Sequence, residues 1–190
     1  IYVTVDSGAQ LVSRQPVRDA FYRLSQMGFI QIRPQRATTI TPISEPAVLQ
    51  AYFIRAALEE ACMRVAAEKL TPTQLDDLDR LVDRQEEAIE AGQRDAFHAL
   101  DDQFHHDICA RSGLEFVWTL VKENKGHMDR ARYLSLTHGA RTALDEHRLI
   151  MAALRARDPA RAAAAVRQHL SRIESIIARL RVEQPGIFDS

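Results

Sequence analysis

From residue 44 onward, apolar residues recur at three- and four-residue intervals with little interruption. That is the period of one face of an α-helix. Ser44 stands where a cap belongs and opens a predicted helix through Leu70. Thr71-Pro72, a capping residue before a proline, opens the next, and Gly92 ends it. A third covers 94–112 and stops at Gly113. A fourth runs from near Leu114 to about Leu136, with a bend expected at Gly126, and His138-Gly139 reads as a break. A fifth covers 141–157. Asp158-Pro159 caps a sixth that reaches about 183, before Pro185-Gly186. The apolar stripes are Leu75, Leu78 and Val82; Leu149, Met151, Ala152 and Leu154; and Val166, Leu170, Ile173, Ile176 and Ile177. Six helices with short connections imply an antiparallel bundle over residues 44–190.

Residues 1–43 follow another pattern. Ser13 is a cap, and Val17, Ala20, Phe21 and Leu24 form a helical stripe that Gly28 ends. Phe29-Ile30-Gln31-Ile32-Arg33 and Arg36-Ala37-Thr38-Thr39-Ile40-Thr41 are β-rich runs around a turn at Pro34-Gln35, which predicts a hairpin. A helix followed directly by a hairpin is the second half of a winged helix-turn-helix. The fold class expected is therefore mainly α, a partial winged helix-turn-helix (incomplete at its N-terminus) followed by a bundle of about six helices.

Composition adds exclusions. Of 190 residues, 46% are hydrophobic and 27% charged, so the chain can build a core and is not a disordered tail. No run of 18 apolar residues exists, so no membrane partner is expected. The first six residues do not read as a signal peptide. Cys62 and Cys109 sit far apart in helical patterns and read as small core residues of a reducing compartment, the cytoplasm, rather than a disulfide. The net charge of −1 conceals an asymmetry: residues 1–43 carry five arginines against two aspartates. A basic head on an acidic body suggests a polyanion partner for the head.

The head has the chemistry for one. Arg14 and Arg18 are four residues apart and share a helical face away from much of the apolar stripe. Their guanidinium forks can reach guanine edges or phosphates, and Gln15 can pair with adenine. Arg33 and Arg36 flank the hairpin turn, where a wing touches DNA backbone. A solvated basic helix beside a hairpin would show the same pattern. Ser13-Arg14-Gln15-Pro16-Val17-Arg18-Asp19-Ala20-Phe21-Tyr22-Arg23-Leu24 resembles the recognition helix of the GntR family of transcription regulators. Gly28-Phe29-Ile30 and Arg33-Pro34-Gln35-Arg36 resemble that family's wing, although Ala37 stands where the family usually has glycine. The resemblance implies that Arg14, Gln15 and Arg18 contact operator DNA.

The body holds a second constellation. Asp101 and His105 are at i and i+4, so both project from one face of one helix. His147 and His169 lie on two later helices, and ligands from three helices of a bundle can converge inside it. Imidazoles with a carboxylate suit a divalent transition metal: zinc first, with nickel or manganese also compatible. Seven histidines in such a chain will include chance spacings, and His98, His106, His127 and His138 read as such surface or core residues.

Asp101-Asp102-Gln103-Phe104-His105 with Ser112-Gly113, Glu146-His147-Arg148, and Ala165-Val166-Arg167-Gln168-His169-Leu170 resemble the FCD effector domain of FadR-type GntR regulators. Leu114 departs from the asparagine usual there. The resemblance implies that Asp101, His105, His147 and His169 are metal ligands, and that a small organic acid binds beside the metal with help from an arginine. Arg55 and Arg132 are the candidates, each able to offer a fork to a carboxylate. Each is equally compatible with a surface arginine paired to a neighbouring glutamate.

The reading is a non-enzymatic, homodimeric repressor. Its affinity for an inverted-repeat operator would be set by a carboxylate metabolite bound beside the metal. A metal-dependent enzyme and a pure metal-ion sensor are the alternatives. Against the enzyme, neither His-Glu-x-x-His nor the paired Glu-x-x-His of di-iron bundles occurs.

Overall fold

The structure is a computed structural model that describes residues 14–33 and 35–189. The expected Ser13 cap, the Pro34 turn position and the side chain of Arg14 lie outside the described residues. Helix α1 (Arg14–Gln26) comes first, then a two-stranded antiparallel hairpin of β1 (Ile30–Gln31) and β2 (Thr39–Ile40) with Ile30 opposite Ile40. Six further helices follow: α2 (Glu45–Lys69), α3 (Pro72–Glu90), α4 (Arg94–Arg111), α5 (Glu115–Asn124), α6 (Gly126–Arg155) and α7 (Pro159–Glu183). A 3₁₀ turn at Pro185–Ile187 closes the described chain.

The helix ends follow local chemistry. Thr71 and Gln74 form a reciprocal capping box with Pro72 in the first turn, and Asp158 accepts from the amide of Arg161 at 2.9 Å. Gly92 and Gly113 take the left-handed conformation just past α3 and α4, with φ of 67° and 81°. Ser44 has extended cap geometry, but its side chain makes no capping hydrogen bond.

α7 lies along both α2 and α6, and the buried stripe Ala162, Ala163, Val166, Leu170, Ile173, Ile177 and Leu180 is its contact face. Isoleucine and valine are tolerated there because packing outweighs their modest helix propensity. Ile43, in the segment joining hairpin to bundle, is pinned by the C-terminal tail. Its amide donates to Ile187 O at 2.7 Å, and its carbonyl accepts from the Asp189 amide. Cys62 and Cys109 are buried free thiols in a small apolar cluster with Val117 and Val121. No helix among the described residues is long and apolar enough to cross a membrane.

Three expectations are corrected. The break at His138-Gly139 is absent, because α6 runs unbroken from Gly126 to Arg155. Gly139 serves packing there: its carbonyl accepts from the Arg172 guanidinium at 3.3 Å. Gly126 is where α5 and α6 part rather than a bend within one helix. The inner face of α6 is also rotated from the expected stripe. Leu144, His147, Ile150, Met151 and Leu154 are buried, whereas Leu149 is 50% exposed and Ala152 faces out. Met151 and Leu154 belong to both faces, and the polar His147 is buried between Leu144 and Ile150.

Leu154→Ala is expected to cost about 2–5 kcal/mol in urea unfolding, the range for a buried leucine. Leu149→Ala should stay within about 0.5 kcal/mol, as for surface positions. Equal losses at both would contradict this orientation of α6.

Candidate metal centre

Asp101 and His105 on α4, His147 on α6 and His169 on α7 meet inside the bundle. One donor atom from each lies within 4.8 Å of every other, and all four residues are buried. The three imidazole centroids are 4.6 to 5.3 Å apart.

Each ring is held from behind. His147 Nδ1 lies 2.7 Å from Gln85 Oε1 of α3, and His169 Nδ1 lies 2.9 Å from Glu146 Oε2 of α6. His105 Nδ1 lies 2.6 Å from Glu59 Oε2 of α2, close but at an angle poor for a hydrogen bond. An acceptor facing Nδ1 fixes the proton there and leaves Nε2 as a lone-pair donor. Glu59 is anchored in turn by Arg55 Nε at 2.5 Å, and Gln85 donates its amide to Leu100 O at 3.1 Å. Asp101 Oδ2 accepts from Arg132 Nη2 at 2.5 Å. Its other oxygen, Oδ1, faces the rings, 3.5 Å from His147 Nε2.

This leaves Asp101 Oδ1, His105 Nε2 and His147 Nε2 buried without a hydrogen-bond partner. One such orphan costs about 1–3 kcal/mol, and orphans seldom cluster without a common partner. A divalent cation satisfies all of them, so the residues fit a metal. The electrostatics agree. Burial alone would raise the Asp101 carboxyl, but the Arg132 guanidinium and the imidazoles hold it well below the usual range. Burial, then the neighbouring rings, pushes His147 and His169 well below the ordinary imidazole value, so both are neutral at pH 7. Ionised carboxylate and neutral imidazole are the forms that bind metal.

The two candidate effector arginines are buried and already engaged, Arg55 with Glu59 and Arg132 with Asp101. Arg55 keeps Nη1 and Nη2 unpartnered. Arg132 and His169 line a cavity of about 30 Å³ between α6 and α7, with Arg172 at its edge and Phe97, Met128 and Ile173 as apolar walls. The supporting acceptors Glu59, Gln85 and Glu146 were missed in the sequence. Their signals were available: Arg55 and Glu59 at i and i+4, an amide inside the apolar stripe of α3, and a carboxylate directly before His147.

In the head, Gln15, Arg18, Arg33 and Arg36 are all exposed. Gln15 Nε2 donates to Asp19 Oδ1 at 3.0 Å, and Arg33 Nη2 donates to Gln31 Oε1 at 2.9 Å. The α1 helix and hairpin thus present their polar groups to solvent.

The chain matches the family model described as the FCD domain over residues 50–172. It is 38% identical over 179 residues to the HTH-type transcriptional repressor RspR of Escherichia coli, covering 93% of this chain and 78% of that protein. It is 33% identical to an HTH-type transcriptional regulator of Streptomyces ambofaciens, covering 93% of this chain and 75% of the relative. In fold it is similar to E. coli McbR/YncC, with a TM-score of 0.76 over 90% of this chain and 88% of that one at 22% identity. It is also similar to a GntR protein of Streptococcus agalactiae, with a TM-score of 0.58 over 86% and 82% of the two chains at 23% identity.

With both folded imidazole values depressed, the unfolded chain binds protons below about pH 6.5 that folded His147 and His169 refuse. Stability of chelator-treated protein should therefore fall as pH drops, by about 1.4 kcal/mol per histidine between pH 7.5 and 5.5. Urea titrations at the two pH values measure it. A protein equally or more stable at pH 5.5 would contradict the buried, neutral assignment.

Proposed function

The chain belongs to the GntR family of transcription regulators, in the FadR-type branch that carries an FCD domain, and from that premise we propose how it works. The α1 helix and the hairpin read operator DNA through Arg14, Gln15, Arg18, Arg33 and Arg36. The bundle binds a divalent metal through Asp101, His105, His147 and His169. A small organic acid bound beside that metal sets the affinity for the operator. The observation that carries the reading is the ring of imidazoles, each backed at Nδ1 and turned with Asp101 Oδ1 toward one buried point.

A bound divalent ion would supply Lewis acidity and open positions for an anionic oxygen. Three imidazoles and a carboxylate suit zinc first, with nickel or manganese also compatible. This chain's own residues do the rest. Glu59, Gln85 and Glu146 orient the rings. Arg132 and Arg172 face the adjoining cavity with positive charge that suits a carboxylate. Arg55, with two free guanidinium nitrogens, is a further anion partner next to Glu59.

One recognition helix offers few base contacts, so two copies on an inverted repeat are expected. Phe53 of α2 and Phe116 of α5, 73% and 64% exposed, are the aromatic positions available for pairing. Repression is favoured because the relative RspR is described as a repressor. A DNA-reading role puts the protein in the cytoplasm. The relatives and fold neighbours are regulators, which sets the enzyme alternative aside. A second reading, in which the ion is itself the signal, is favoured by the cavity beside Arg132. Its volume of about 30 Å³, where about 10–15 Å³ suffices for one water, gives room for only two or three waters.

Operator titrations test the proposal. Arg18→Ala should weaken binding by about 1–3 kcal/mol if it reads a base. His147→Ala/His169→Ala should still bind operator but lose any response to metal or to a panel of organic acids. A chelator that changes operator affinity without any acid favours the ion as signal, and an acid that acts only on metal-loaded protein favours the metabolite. Wild-type response in the double histidine variant would sink both.

A further inference from the structure

The first turns of α6 hold the head to the body, and the same stretch holds a candidate metal ligand. A Cβ at Gly126 would sit 2.6 Å from Phe29 Cζ, so glycine is what lets the hairpin's ring lie against the start of α6. His127 stacks near that ring at 4.5 Å, and its Nε2, which must carry the proton, donates to Met27 O at 2.8 Å. Arg130 Nη2 donates to Thr41 O at 2.7 Å. Two residues further, Arg132 donates to Asp101 Oδ2. About 9 Å of unbroken helix separates Gly126 from Arg132.

We propose that this stretch of α6 is a relay: metal occupancy at Asp101 and docking of the DNA-facing head are coupled through Arg132. The inference rests on the metal-centre reading above. Arg132 has two acceptors. Asp101 Oδ2 lies at 2.5 Å and Asp129 Oδ1, one turn back on α6, at 3.4 Å. Asp129 also binds Lys125, at the joint of α5 and α6, which in turn pairs with Asp102 at 2.7 Å. A dication on Asp101 Oδ1 draws off the carboxylate's charge and repels the guanidinium across a poorly screened interior. Arg132 then leans toward Asp129 Oδ1 and draws on the carboxylate whose other oxygen Lys125 holds. The joint that seats Phe29 and Met27 is loosened, and the head with it. Arg132 holds both carboxylates at once, Asp101 through Nη2 and Asp129 through Nη1, so a change in the balance between the two contacts is what would carry the signal.

Coupling is reciprocal, so one factor must appear in two measurements. The test uses the full chain with zinc alone as probe. Amide exchange between Met27 and Thr41 reports docking, and competition with a chromophoric chelator reports zinc affinity. In wild type, saturating zinc should speed exchange in that segment at least about fivefold, the lower end of allosteric coupling. His127→Ala/Arg130→Ala should exchange fast with or without zinc, and should bind zinc more tightly by the same factor. Gly126→Ala, which displaces the Phe29 ring but removes no donor, should shift both readings the same way and serves if the double variant loses helical signal. Exchange unchanged at zinc saturation, or equal zinc affinity in wild type and variants, overturns the relay alone. Failure of the wild type to take up zinc removes the metal centre and the relay together.

Discussion

Buried polar atoms with no partner are expensive, and this bundle gathers several at one point. Asp101 Oδ1, His105 Nε2 and His147 Nε2 face each other in an interior otherwise packed with leucine, isoleucine and alanine. Their cost is not offset within the chain, whereas Gln85 and Glu146 hydrogen-bond the opposite edges of His147 and His169, and Glu59 lies 2.6 Å from that of His105. Groups from α2, α3, α4, α6 and α7 are thereby committed to one centre. His147 on the inward face of α6 and His169 on that of α7 reach it from two long neighbouring helices. A core selected for stability alone would fill this space with apolar side chains, which often costs nothing and can gain stability. Four buried ionisable side chains with their supports are what the proposed metal would require.

The head is joined to this centre by polar contacts that are few and identifiable. His127 and Arg130 hydrogen-bond to backbone carbonyls of the hairpin and its approach, and both lie against the Phe29 ring. Such contacts fix position while leaving the exposed arginines free. Among the described residues the head meets the body through these two hydrogen bonds, the packing of Phe29 on Gly126, His127 and Arg130, and the pinned segment around Ile43. A ligand that controls DNA binding can shift this docking only by its differential affinity.

The four clustered residues were readable in the sequence because their helical spacing and their motifs agree. The caps at Thr71 and Asp158 were readable for the same reason: each is a local rule with a local cause. What escaped was non-local. Local pattern marks Gln85 and Glu59 as polar positions worth notice, but which imidazole each one faces depends on which helix packs on which. His127 looked like a chance surface histidine because its partner, Met27 O, is a backbone atom 100 residues away. The expected break at His138-Gly139 weighed glycine's low helix propensity too heavily. Its carbonyl contact with Arg172 and the long α6–α7 interface outweigh a penalty of about 1 kcal/mol. On α6 the apolar residues Leu149 and Ala152 face out while the polar His147 is buried, so hydrophobicity by residue type did not mark the inner face.

The central claim is that these four side chains form one coordination sphere. X-ray absorption spectroscopy of zinc-loaded protein measures that sphere directly. The account predicts a first shell of nitrogen and oxygen at about 2.0–2.2 Å with imidazole scattering from three rings and no sulfur. A shell with sulfur at about 2.3 Å, or one with fewer than two imidazoles, would contradict it.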